Sequence, residues 1–132
     1  MATVTVQSAI ARAHTALERG RGAEAVQILS PLLRGSLTRE DELSIRAALA
    51  EGWLLQDDLV QASTALGRPP DNLRESISEA QLSHVWRLHG RVTFARGEQS
   101  RAIALHTRAL KHAELAHDSR AIGLARSALR RG

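Results

Sequence analysis

Between residues 78 and 117 the apolar positions follow a three-and-four spacing. Leu82, Val85, Trp86, His89 and Val92 or Thr93 mark one stripe, and Ala102, His106, Ala109, Leu110 and Ala113 mark a second. That period predicts two amphipathic helices, 78–96 and 98–117, divided by the single Gly97. Ser78 with Gln81 three places on reads as a capping box, and Glu98 suits the positive end of the helix that follows. A tight helical hairpin is the expectation.

Two further hairpins are predicted upstream. Residues 5–19 and 22–34 flank the turn ERGRG, whereas 39–56 and 58–67 flank Asp57 and Asp58, with Thr38 and Asp41 as another capping box. The stretches RGSLT and GRPPDNLRES read as loops, the second through Pro69, Pro70, Asp71 and Asn72. A last helix, 119–131, starts after Asp118 as N-cap. Pro31 falls inside the second helix, where proline costs about 3 kcal/mol, so a kink or break is expected near Ser30. The three hairpins, about 5–34, 39–67 and 78–117, make an all-α single domain spanning 1–132.

Small residues recur at matching places in the hairpins. Ala13, Ala50 and Gly90 lie mid-way along the first helices, and Ala25, Ala62 and Ala102 early in the second, with Ala109 seven residues beyond Ala102. Glycine costs roughly 1 kcal/mol against alanine within a helix, so Gly90 needs a close neighbour. If each first helix packs on its own second helix, Gly90 faces Ala102 and the backbones approach closely.

The separations of Trp86, Gly90, Gly97, Ala102, Ala109 and Leu110 resemble a tetratricopeptide repeat, a Trp, a small residue, a turn glycine and two alanines at set intervals. Residues 6–33 resemble it through Ala13, Gly20, Ala25 and Leu32; residues 43–67 keep Ala50, Trp53 and Ala62 but carry Asp57 at the turn. The tail HAELAHDSRAIGLARSALRRG is similar to the longer repeats of bacterial regulators, with Gly132 at the place of Gly90. The resemblance implies a right-handed solenoid with a concave groove. The chain would stop within a fourth repeat, as a piece of a longer array or with a capping helix, which Arg126, Arg130 and Arg131 suit.

In that family the groove comes from the first helix of each pair. Carried over, the positions are Gln7, Ile10, His14 and Leu17; Ser44, Ala47, Glu51 and Leu54; and His84, Arg87, Arg91 and Phe94. The expected occupant is a protein partner, a peptide or helix, with acidic character favoured because Arg87 and Arg91 share a helix face and can grip carboxylates. The same arginines also fit ordinary solvated positions. The paired Lys and Asn of carboxylate-clamp relatives are missing from this face.

Charge and composition add two alternatives. Residues 1–40 carry five arginines against three glutamates, 41–80 three against eight acids, and 81–132 ten basic residues against three acids. The basic end raises nucleic-acid binding, but three aromatics in all and arginines interleaved with apolar positions make it the weaker reading. Self-association is the other alternative, through Leu124, Ala125, Ala128 and Leu129 of the terminal helix.

Catalytic chemistry is not expected. With no cysteine there is no disulfide and no thiolate ligand. His112 and His117, like His84 and His89, are five apart rather than four and diverge around a helix. Asp57 and Asp58 fit a helix start better than a carboxylate pair, and no phosphate loop of GxxxxGK[ST] type occurs, so neither metal nor cofactor is expected. No run of about 18 apolar residues and no export-type start is present, giving the expectation of a cytoplasmic protein with no membrane contact.

Overall fold

In the computed structural model, which describes residues 5–70 and 77–131, the chain is all-helical. The elements are α1 (Val6–Glu18), α2 (Gly22–Leu29), a 3₁₀ turn (Ser30–Arg34), α3 (Arg39–Leu55), α4 (Leu59–Leu66), α5 (Glu79–Ala95), α6 (Gln99–Leu115) and α7 (Ser119–Arg131). Of the second loop, Asp71 and Asn72 lie outside the described residues, as do Gly132 and the side chain of Arg131.

Helix starts follow the local chemistry. Thr5, Thr38, Asp58, Ser78 and Asp118 each accept a hydrogen bond from the backbone N–H three residues on, satisfying one of the donors that a helix start leaves open. Only α2 and α6, whose N-caps are Arg21 and Glu98, lack a side-chain cap. Both follow a glycine turn. Pro31 ends α2 at Leu29 and sits at the start of the 3₁₀ turn, where its missing N–H costs nothing.

Among the described residues the same turn occurs four times. Gly20, Asp57, Gly97 and His117 all hold a left-handed backbone, with φ of 73°, 56°, 86° and 54°. Around each, two N–H groups return to the helix just ended: Gly20 to Leu17 and Arg21 to Ala16, and likewise Asp57 to Leu54 and Asp58 to Trp53. Gly97 bonds Phe94 and Glu98 bonds Thr93, while His117 bonds Glu114 and Asp118 bonds Ala113. This is the Schellman arrangement, in which the residue after the left-handed one also begins the next helix. One device therefore joins α1 to α2, α3 to α4, α5 to α6 and α6 to α7.

Contacts divide the chain into two compact units, Met1–Gly67 and Arg68–Gly132. In the first, α1 packs on α2, and α3 packs on α1, α2 and α4. Ile10, Ala13, Ala16, Ala25, Leu29, Ile45, Ala48 and Leu49 form its core. The α2 and α3 backbones nearly touch: a Cβ on Gly22 would lie 2.4 Å from the Gly52 carbonyl oxygen, and one on Gly52 would lie 2.9 Å from that of Gly22. Arg46 ties α3 to α4 by donating to the Ala65 carbonyl at 3.1 Å while its Nε holds Glu42 at 3.0 Å.

In the second unit α6 packs on α5 and α7 around Trp86, Ala109 and Ala125. Buried Ser83 donates its hydroxyl to the Ala109 carbonyl at 2.8 Å, and His112 Nδ1 binds Glu79 Oε2, so α6 is held to α5 at two levels. The Arg108 guanidinium stacks 4.2 Å over the Trp86 ring. In α7, nothing lies within 4 Å of where a Gly123 side chain would begin. Gly123→Ala is expected to stabilise the protein by about 1 kcal/mol through helix propensity alone, read as a raised urea midpoint with unchanged slope.

Candidate partner-binding face

All seven small positions, Ala13, Ala25, Ala50, Ala62, Gly90, Ala102 and Ala109, are buried. The nearest neighbour of Gly90 is a side chain that the small-residue spacing did not name. A Cβ there would meet the His106 ring, with Cε1, Nε2 and Nδ1 at 2.6, 2.7 and 2.8 Å. The missing side chain of α5 thus makes room for an imidazole one turn beyond Ala102 on α6. A buried histidine reads in sequence as one more member of the apolar stripe, so its size gave the only hint.

On α5 the positions 84, 87, 91 and 94 follow a three-four-three spacing and so share one helix face. His84 and Arg87 are half-buried, and Arg87 Nη2 lies 3.0 Å from His84 Nδ1. Arginine only donates, so Nδ1 is the acceptor in this contact. This contact sets the direction of the Arg87 fork. Arg91, one turn on, is exposed, and Phe94, the only phenylalanine of the chain, is 41% exposed at the end of the helix.

The positions carried over to the first unit divide differently. His14 is exposed, and Leu17, Ser44, Glu51 and Leu54 are half-buried. Ile10 belongs to the core and Ala47 is buried, because α1 and α3 each turn these residues toward neighbouring helices; neither offers surface to a partner. Gln7 is exposed but donates to Asp41 at 2.7 Å, linking α1 to the start of α3. Of the α7 residues expected to meet a second copy, Ala125 is corrected to core, Ala128 and Leu129 are half-buried, and Leu124 is 40% exposed.

Sequence reasoning missed the Gly22 and Gly52 contact. Gly22 stood beside Gly20 and passed for a turn residue, but its φ is not left-handed and it opens α2. Gly52 sits inside α3, where the penalty that drew attention to Gly90 applies equally. That signal was there to be used.

For a small ligand the first unit offers an open depression of about 210 Å³ lined by Arg12, Thr15, Ala16, Arg19, Glu24 and Ile28. It is smaller than the ~300–1,000 Å³ of ordinary small-molecule sites. Among the described residues no group of three or more His, Asp or Glu is placed to hold a metal ion, and no helix is long and apolar enough to cross a membrane. No protein-family model, curated protein or solved structure matches the chain.

Proposed function

We propose that the protein is an interaction module of tetratricopeptide type that holds a partner peptide or helix, acidic in character, against α5. The observation that carries this is the pairing of exposed Arg91 with Phe94, 41% exposed, on one face of a helix whose opposite side is core. Arginine and aromatic side chains, phenylalanine included, are enriched at protein–protein interfaces. Arg87, aimed by His84, adds a second positive fork one turn back.

The four identical turns support the repeat reading, since one hairpin unit used over again is what stacks into a solenoid. In such an array the first helices line the concave side, and the matching positions of the first unit are His14, Leu17, Glu51 and Leu54.

The test is a display of peptides of graded acidity screened against the whole chain. Peptides rich in Asp and Glu around one apolar anchor are expected to be selected. Arg91→Glu and Phe94→Ala should each weaken them about 10–100-fold, a hot-spot loss, with unchanged melting because both residues are exposed. Equal retention by both variants rejects the α5 face.

A further inference from the structure

Two surface patches, one in each unit, have opposite charge and matching apolar content. The first is the turn between α3 and α4. Val60, in the first turn of α4, is 76% exposed, and Leu55, which ends α3, is 48% exposed. Between them lie the acids Asp57, exposed, and Asp58, half-buried at the N-cap.

The second patch is a stripe on α6. Arg101, Ala104, Arg108, Lys111 and Leu115 are all exposed and fall at intervals of three, four, three and four, so they line one face of the helix. Leu115 is 55% exposed at the end of the stripe. Its acidic neighbour Glu114 projects about 100° away around the helix. Among the described residues none of Asp57, Arg101 and Lys111 enters an ion pair within the chain.

Isolated surface leucines and valines are ordinary. Here, however, large apolar side chains are paired with acids on one patch and with bases on the other. Like charges keep two copies of the same patch apart, and opposite charges draw unlike patches together.

We propose that the protein self-associates by placing the α3–α4 turn of one copy on the α6 stripe of another. Val60 and Leu55 meet Leu115, while Asp57 meets Lys111, one turn back on the stripe. The occupant is a second copy because this chain carries both halves of the match, one in its acidic middle section and one in its basic end. The contact uses neither Arg91 nor Phe94, so it stands or falls apart from the peptide-binding reading.

Contacts of a few residues a side are small for an interface and predict weak association, with Kd on the order of 100 µM. Sedimentation equilibrium of the full chain from about 10 to about 500 µM should show an average mass that rises with concentration. Val60→Lys, which sets a cation against the basic stripe, and Leu115→Gln, which removes the apolar anchor, should each weaken association at least tenfold.

The deciding step mixes the two variants. Val60→Lys keeps an intact stripe and Leu115→Gln keeps an intact turn, so the mixture retains one matching pair and should form a 1:1 complex that neither variant forms alone. Circular dichroism of each variant checks that these exposed substitutions leave the helices in place. A monomer throughout the range, or a mixture no more associated than its components, overturns the proposal.

Discussion

Gly22→Ala should lower the stability of the first unit by roughly 3 kcal/mol, the largest loss expected from an added methyl at any of the described glycines. The new Cβ would lie 2.4 Å from the Gly52 carbonyl oxygen and 2.9 Å from Leu55 Cβ. Both obstacles are close to the main chain of α3, so neither can swing aside as the end of a long side chain would. Relief requires α2 to lift from α3, and that opens the core that Ala25 and Leu29 share with Ile45, Ala48 and Leu49. Against a total stability of about 5–15 kcal/mol, such a loss is severe.

The reciprocal change is expected to be milder. A Cβ on Gly52 would lie 2.9 Å from the Gly22 carbonyl and 2.9 Å from Val26 Cγ2, and the second of these is a side-chain methyl able to shift. Alanine within α3 also recovers about 1 kcal/mol of helix propensity, leaving Gly52→Ala a net cost of roughly 1–2 kcal/mol. With Gly123→Ala gaining stability, three identical chemical changes are ordered by what surrounds them. Each unit contains one of the two tryptophans, Trp53 in the first and Trp86 in the second. Urea unfolding followed by Trp53 fluorescence in a Trp86→Phe background reads the first unit directly. Equal midpoints for Gly22→Ala and the parent would show that the close approach is not a constraint.

Much of the helical framework is legible in the sequence because it is decided locally. Thr38, Ser78 and Asp118 cap helices whichever way those helices later pack, and Pro31 stops α2 for want of an N–H. Turns were legible at Gly20 and Gly97, which glycine marks, and at Asp57, where two acids part the helical segments. At Asp57 and His117 the left-handed conformation is imposed on residues that carry a side chain, and the cost of about 1 kcal/mol is met by the two returning hydrogen bonds.

The contacts between helices were less legible, since they depend on how each pair is rotated. Helical periodicity identifies an inward face but not which of its turns meets a given neighbour, so it does not distinguish Ala102 from His106, one turn on along the same stripe, as the residue nearest Gly90. Repeat position is no firmer a guide to rotation: Ile10 and Ala47, assigned to a binding face by it, occupy buried places. For the α5 face, the repeat resemblance brought His84, Arg87, Arg91 and Phe94 together, but the contact between Arg87 and His84 depends on side-chain rotamers.

The second large effect tests that lesson at Gly90. Gly90→Ala would place a methyl 2.6–2.8 Å from three atoms of the buried His106 ring, and the ring is enclosed between α5 and α6. Alanine's propensity gain of about 1 kcal/mol offsets part of an overpacking cost of about 1–3 kcal/mol, so a net loss of roughly 1–2 kcal/mol is expected. Truncating the ring by His106→Ala vacates the same space and costs about 2 kcal/mol by cavity formation. The two losses should not add. In the double variant the methyl occupies room the ring has left, so a coupling of about 1–2 kcal/mol is expected from the cycle, read by Trp86 fluorescence in a Trp53→Phe background. Additive losses would mean that Gly90 is required for something other than the imidazole. A coupled result fixes the reason for glycine at this position as the volume of one side chain on the facing helix, a constraint that no spacing rule between small residues contains.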